Sequence, residues 1–210
     1  MGKTLAILES IESRFMEVAN LEGDLSILPM PKENHLQVKT NKEKSDSFGE
    51  VFTPIWLVDR MLERMSEYDW RNPKLSTLDL CSGYGQFSVR MLRKKYNLLG
   101  EEFNIKNFLF KTHYFAELQL SSCYKLLHIY SPKINLFIGD AREIPNLPEN
   151  CSGIYLHKNG AWVECTEFIK FIFGKPKKNY SVKAEHEFIM KLQDFIDGDN
   201  LFTIDYGSEE

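Results

Sequence analysis

Long hydrophobic runs are missing from this sequence of 210 residues. A membrane-spanning helix needs about 20 consecutive apolar residues, and no segment approaches that length. The first residues also lack the small-residue cleavage site that follows the apolar stretch of a secretory signal. We therefore expect a cytoplasmic protein that does not enter a membrane.

Paired cysteines and an excess of positive charge are missing as well. The four cysteines stand far apart, without the Cys-x-x-Cys pairs or neighbouring histidines of a zinc site: Cys81, Cys123, Cys151 and Cys165. We expect reduced thiols and no bound metal. Basic side chains number 26 and acidic ones 30, and the net charge of −4 excludes a protein that binds nucleic acid through its overall charge.

The residues that are present, 43% of them apolar, have the composition of a soluble globular domain. Apolar side chains recur at three- and four-residue spacing over residues 4–19, which predicts an amphipathic helix that packs on the domain or acts as a lid. Prolines and a polar stretch predict a linker over residues 20–47. We interpret residues 1–47 as an N-terminal helical extension and residues 48–210 as the α/β domain.

Short apolar runs alternate with helical periodicity through this second part. A helix is predicted to begin after Thr53 and Pro54 and to end near Tyr68. Later helices are predicted at 87–95, 121–130 and 185–196, and strands at 75–80, 113–116, 134–138, 153–156 and 201–205. This alternation predicts a mostly parallel sheet with helices on both faces.

A glycine turn, DLCSGYGQF at residues 79–87, joins the first predicted strand to a helix. In open α/β sheets, ligands bind outside the carboxyl ends of the strands, where glycines allow close approach to the backbone. Ser88 stands where the dinucleotide fingerprint has its third glycine, which argues against a pyrophosphate ligand. Two further strands end in acids, Glu117 and Asp140, whose carboxylates can accept hydrogen bonds from ribose hydroxyls and an adenine amine. Each feature alone is typical of a solvated strand end or helix cap, whereas together they predict a nucleoside site.

This set resembles the S-adenosylmethionine-dependent amino-methyltransferases that modify adenine in DNA, including restriction methylase subunits and phage relatives. Residues 48–54, FGEVFTP, are similar to the family's opening motif, in which an aromatic-Thr-Pro turn contacts the cofactor. Residues 79–87 are similar to its D-P-A-C-G-S-G-x-F motif, with Leu80 in place of proline and Tyr84 in place of a small residue. The resemblance implies a Rossmann-like methyltransferase sheet, with Glu117 on the ribose and Asp140 on the adenine of S-adenosylmethionine. The implied cofactor-binding residues are Phe52, Thr53, Asp79, Gly83, Gly85, Glu117 and Asp140.

The family's catalytic motif, Asn/Asp-Pro-Pro-aromatic, has its nearest counterpart in NGAW at residues 159–162. In the family, the Asn oxygen and a proline carbonyl accept the two N–H bonds of the adenine amine, and the aromatic ring stacks on the flipped base. The resemblance implies that Asn159 and Trp162 are catalytic, although neither proline is kept. Asn-Gly between two strand-like runs is also a strong signal for a type I′ hairpin, which would place Asn159 at a turn tip. We favour the hairpin.

Two functions stay open from the sequence. One is amino-methylation of adenine in DNA. The other is a protein of the same fold that binds or consumes the cofactor without methylating DNA, as a partner, decoy or inhibitor of a restriction or defence methylase, with Tyr84 as the candidate acid for cofactor breakdown. The family's closing strands and target-recognition domain have no counterpart after residue 205, so we expect a C-terminally shortened sheet. A partner chain would then read any DNA target, and oligomerisation stays open.

Overall fold

The computed structural model describes residues 2–22, 53–147 and 150–198. These ranges contain seven α-helices of five residues or more, a five-stranded sheet and several short helical turns. The helices are α1 (Lys3–Leu21), α2 (Ile55–Leu62), α3 (Glu67–Arg71), α4 (Gln86–Leu99), α5 (Leu120–Ile129), α6 (Thr166–Phe173) and α7 (Val182–Asp197). The strands are β1 (Thr77–Leu80), β2 (His113–Glu117), β3 (Asn135–Ile138), β4 (Ile154–Lys158) and β5 (Ala161–Glu164). The short turns are Gly100–Glu102 and Ala141–Asn146, both 3-10, with Ile105–Asn107 leading into the π-helical Phe108–Thr112.

The sheet confirms the predicted α/β class and four of the predicted strands. Strands β1 to β4 are parallel and follow one another across the sheet in sequence order, and β5 pairs antiparallel with β4 at the far edge. The predicted strand at 201–205 and the predicted linker from residue 23 onward lie outside the described residues. Among the described helices, none combines the length and hydropathy needed to span a bilayer.

The strand order favours connecting α-helices on one face of the described sheet, whereas helices on both faces were predicted. Because each parallel strand lies beside the next strand in sequence, right-handed crossovers carry the connecting helices to the same side. On that side Phe115, Leu136 and Ile154 are fully buried. On the other side of the edge strand β1, Leu78 is 39% exposed and Leu80 is 54% exposed. The described sheet therefore has one core face and one partly open face.

Helix α1 is a packing helix. Its buried stripe, which includes Leu8, Ile11 and Phe15, belongs to the same hydrophobic core as the sheet and the helices that cover it. The carboxylate of Glu101 accepts hydrogen bonds from the backbone N–H groups of Thr4 and Leu5, which have no partner inside the helix. The helical extension is thus held by both apolar burial and an N-terminal cap.

The helix predicted from residue 54 to near Tyr68 is two helices. Helix α2 ends at Leu62, and α3 begins at Glu67 behind the N-cap Ser66, whose hydroxyl accepts a hydrogen bond from the Asp69 N–H at 3.1 Å. A serine in this position stops one helix and starts the next because it satisfies an N–H that the new helix leaves unpaired. The break reorients the chain before β1.

Candidate functional site

The glycine turn has the backbone that its sequence predicts. After β1, Cys81 and Gly83 have φ values of 56° and 54°, and Gly85 caps α4 with φ 93°. Ser82 stabilises the turn because its hydroxyl donates to the carbonyl of Asp79 at 2.6 Å. The turn lies at the carboxyl ends of the parallel strands, where ligands bind in open α/β sheets.

Packing from inside the protein explains why position 85 is glycine. A Cβ built on Gly85 would stand 2.6 Å from the ring of Tyr130. The hydroxyl of Tyr130 donates to the Gly85 carbonyl at 2.6 Å. Burial raises the pKa of Tyr130 well above its ordinary value, so this hydroxyl stays protonated and keeps donating. Sequence reasoning assigned Gly85 to the ligand and missed Tyr130, which has no motif of its own.

Glu117, the predicted ribose acceptor, connects the turn to the end of β2. Its carboxylate accepts from the N–H of Gly83 at 2.7 Å and from the N–H groups of Leu118 and Gln119, both at 2.8 Å. The side chain is almost buried, with 7% of its surface exposed. Three backbone donors therefore fix the direction of this carboxylate at the carboxyl edge.

Asp79 has a different environment from Glu117. Its carboxylate lies beneath the turn, where it accepts a hydrogen bond from the Ser88 hydroxyl at 2.6 Å. Burial raises the pKa of Asp79 to about 7, and the charge of Glu117 adds to that shift, whereas the Ser88 hydrogen bonds oppose it. Ser88, noted in the sequence only as a replacement for glycine, is thus the direct partner of Asp79.

Asp140, the predicted adenine acceptor, follows β3 and caps the 3-10 helix Ala141–Asn146. Its carboxylate accepts the Arg142 N–H at 2.9 Å and forms an ion pair with the Arg142 guanidinium. These hydrogen bonds hold the pKa of Asp140 at about 2. The group is therefore ionised, and an acceptor only, throughout the neutral pH range.

The predicted acids converge at one place on the sheet edge. Burial raises the pKa of the Cys81 thiol, and the negative charges of Glu117, Asp79 and Asp140 raise it further. All three carboxylates therefore act on one exposed thiol beside the glycine turn. The described residues contain no cluster of three or more His, Cys, Asp or Glu side chains that could hold a metal ion.

The opening motif is described only in part. Phe52 lies outside the described residues, and Thr53 is a half-buried residue just before α2. Helix α2 is tied to α4, the helix that follows the glycine turn, by Asp59 and Arg90, which form two hydrogen bonds of 2.7 and 2.9 Å. The structure thus brings the helix after Thr53 against the helix after Gly85.

Tyr84, the predicted acid for cofactor breakdown, belongs to the core. Its side chain is 1% exposed and its ring lies 5.5 Å from the ring of Phe15 in α1. The expectation that Tyr84 reaches a ligand is therefore wrong: the larger side chain at this motif position packs α1 against the turn. The local sequence could not show this contact, because Phe15 is 69 residues away from Tyr84 and lies in another element.

The NGAW segment forms the hairpin that the sequence favoured. Asn159 and Gly160, with φ values of 52° and 78°, make the two-residue turn between β4 and β5, and both are exposed. Trp162 is half-buried, its ring packs 5.1 Å from that of His157, and its indole N–H donates to the Glu143 carbonyl at 2.8 Å. The structure therefore does not bring Asn159 and Trp162 together as one amine-binding pair.

Comparison with models of protein families, with curated proteins and with solved structures finds no match. The geometry of the turn and its three strand-end carboxylates is accordingly the basis for a functional assignment.

Proposed function

We propose that the protein binds S-adenosylmethionine at the carboxyl edge of β1, β2 and β3. The observation that carries this proposal is the Glu117 carboxylate, which three backbone N–H groups hold at the glycine turn. A carboxylate fixed in this way can receive ribose hydroxyls without first being ordered, which reduces the entropic cost of binding.

Asp140 supplies the second contact in this proposal. A carboxylate that stays ionised at neutral pH accepts the N–H of an adenine amine, and its own partner Arg142 keeps it in place. Adenine and ribose would then lie across the ends of two neighbouring strands. This is the arrangement that the resemblance to adenine amino-methyltransferases implies, and amino-methylation of adenine in DNA is the first candidate activity.

The hairpin favours a second candidate activity: cofactor binding without methylation of DNA. Asn159 lies at an exposed hairpin turn, where Gly160 stands in place of the proline whose carbonyl accepts the second N–H bond of the adenine amine in the family. Trp162 already donates its N–H within the protein and packs against His157, its cross-strand neighbour in the hairpin. Under this candidate the protein acts as a partner, decoy or inhibitor of a restriction or defence methylase.

Isothermal titration with S-adenosylmethionine and S-adenosylhomocysteine tests the binding site. The variant Asp140→Ala loses one hydrogen bond to a charged acceptor, so we expect affinity to fall by about 1–3 kcal/mol, roughly 5- to 150-fold. Glu102→Ala removes an exposed acid beyond the far end of α4, the helix that begins at the glycine turn, and serves as the matched control. Absence of binding by both ligands, or equal affinity in Asp140→Ala, contradicts the proposed site.

A methyl-transfer assay on adenine-containing DNA separates the two activities. Methylation that disappears in Asn159→Ala supports the first candidate. Tight cofactor binding without transfer supports the second, and the titrated cofactor is checked for breakdown products in the same samples.

A further inference from the structure

Four side chains form a hydrogen-bonded chain beneath the glycine turn, on the core face of β1 and β2. Thr77 Oγ1 lies 2.7 Å from His113 Nδ1, and His113 Nε2 lies 2.7 Å from Ser88 Oγ. Ser88 Oγ lies 2.6 Å from Asp79 Oδ2. Asp79, Ser88 and His113 are buried, and Thr77 at the other end is half-buried.

His113 is neutral in this setting. It stacks on Phe108 with ring centroids 4.9 Å apart and meets Phe115 edge-on at 4.6 Å. Burial lowers the pKa of His113 to about 3, and no charged group contributes to that shift. A neutral imidazole has one N–H and one acceptor nitrogen, so each nitrogen must take the opposite role from the other.

The number of protons then allows two sets of hydrogen-bond directions along these four side chains. With Asp79 ionised, Ser88 donates to Asp79, His113 donates from Nε2 to Ser88, and Thr77 donates to Nδ1. With Asp79 protonated, Asp79 donates to Ser88, Ser88 donates to Nε2, and His113 donates from Nδ1 to Thr77. Every buried polar atom of these four side chains keeps a partner in both arrangements when the Asp79 proton is on Oδ2, the oxygen that faces Ser88. With the proton on Oδ2, the other His113 tautomer leaves two donors or two acceptors facing each other.

We propose that Thr77, His113, Ser88 and Asp79 form a proton relay in which the protonation state of Asp79 sets the tautomer of His113. A solvent proton enters at the half-buried Thr77 hydroxyl, and the Thr77 proton moves to Nδ1. The Nε2 proton moves to Ser88 Oγ, and the Ser88 proton moves to Asp79. Each hydroxyl loses one proton and gains one, so the net change is one proton taken from solvent and held at Asp79.

The surroundings of Asp79 place this change in the physiological range. Glu117 faces it from β2, Tyr130 from the end of α5, and Cys81 from the turn itself. Burial raises the pKa of Asp79 to about 7, and Glu117, the charged group among these, adds to that shift, whereas the Ser88 hydrogen bonds oppose it. Both arrangements are therefore populated near neutral pH, and the relay requires no bound cofactor.

The tautomer of His113 is measured by long-range ¹H–¹⁵N correlation on protein labelled with ¹⁵N-histidine. The His113 signals are assigned by their loss in His113→Phe. We expect the Nε2–H tautomer at about pH 8.5 and the Nδ1–H tautomer at about pH 5.5, with a midpoint that follows Asp79. A single His113 tautomer over this whole range overturns the relay, as does an imidazolium signal in place of the second tautomer.

Two variants and a matched control connect the switch to Asp79. Asp79→Asn cannot ionise, so we expect His113 to keep one tautomer at every pH. Ser88→Ala removes the hydroxyl that joins the two groups, and His113 should again show no switch near pH 7. Ser82→Ala removes a hydroxyl of the same turn that donates to the Asp79 backbone carbonyl, and it should switch as the unchanged protein does. An unaltered switch in Asp79→Asn contradicts the proposal even if Ser88→Ala fails to fold.

Discussion

At the scale of single residues, three carboxylates at one sheet edge have three different states. Glu117 is bound by backbone N–H groups, Asp140 is paired with Arg142, and Asp79 is buried beside Ser88. The differences come from the partner of each group, since all three follow or lie within similar parallel strands. Their sequence positions predict that they meet, whereas their partners decide which of them can accept a hydrogen bond from a ligand.

Gly85→Ala tests the fit between the turn and Tyr130. The added Cβ would stand in a left-handed backbone conformation and 2.6 Å from the Tyr130 ring, so we expect a loss of about 2–5 kcal/mol in the free energy of unfolding. Gly160→Ala is the control, because it has the same kind of backbone strain with no heavy atom within 4 Å. Urea denaturation measures both. Equal losses of stability in the two variants would show that the Tyr130 ring moves aside without a loss of free energy, and would contradict this prediction.

Asp79→Asn should change how stability depends on pH. The folded protein holds the Asp79 proton up to about pH 7, whereas the unfolded chain releases it near 3.8, so unfolding releases a proton between these values. Rising pH therefore lowers the contribution of Asp79 to the free energy of unfolding, by about 4 kcal/mol over the window. His113 has the opposite effect on stability below pH 6.5. The unfolded imidazole binds a proton there and the folded one does not, so the contribution of His113 to the free energy of unfolding rises with pH.

In the unchanged protein these two dependences offset each other between about pH 4 and 6.5. Asp79→Asn leaves that of His113, so we expect its stability to rise with pH over this window and then to level off. Urea denaturation at several pH values measures the difference, with Asp194→Asn as an exposed control. Parallel curves for the two variants would contradict the buried, proton-holding state of Asp79.

At the scale of elements, the sequence predicted the hairpin turn and the strands, because neighbouring residues determine both. The Asn-Gly turn gave the correct hairpin because its backbone angles suit those two residues. The strands were found because apolar runs mark buried segments. The break at Ser66 was missed because the apolar spacing continues across it, and the role of Tyr84 was missed because its partner Phe15 lies in α1.

Phe15→Ala tests the contact between α1 and the glycine turn. Phe15 is 2% exposed, and a buried Phe→Ala change costs about 3–5 kcal/mol in the free energy of unfolding. With Tyr84 left unsupported, we also expect faster hydrogen exchange at the Gly85 amide. Met16→Ala, which alters a neighbouring residue that is 40% exposed, should change stability by less than about 0.5 kcal/mol. An unchanged rate of hydrogen exchange at the Gly85 amide would show that α1 does not stabilise the glycine turn.

At the scale of the whole molecule, strand order was the part that the sequence could not predict. Alternating strands and helices are typical of sheets with helices on one face and of sheets with helices on both faces. Which of the two forms depends on the sheet edge that each new strand joins. Here β4 joins β3 rather than β1, and its hairpin partner β5 completes that edge of the described sheet. The meeting of Asp79, Glu117 and Asp140 was predictable because carboxyl ends of parallel strands share an edge in either arrangement.

One unfolding transition is expected for the molecule, because α1 and the sheet belong to a single hydrophobic core. Far-ultraviolet circular dichroism follows all helices, whereas tryptophan fluorescence follows Trp56, Trp70 and Trp162, which all lie outside α1. The two signals should give coincident urea midpoints, and Phe15→Ala should shift both together. An earlier loss of helical signal would mean that the extension unfolds independently.

The consecutive order of the strands has a consequence for the route of folding. Each strand pairs with its immediate predecessor, so the sheet can grow by successive closures of segments of 2 to 32 residues. Helix α1 docks through far longer separations, such as the Glu17 carboxylate that accepts from the Tyr180 N–H, 163 residues away. Because closing a longer loop costs more entropy, we expect contacts of this length to form after the sheet. If they do, weakening them speeds unfolding more than it slows folding, so we expect the docking of α1 to govern the lifetime of the folded state.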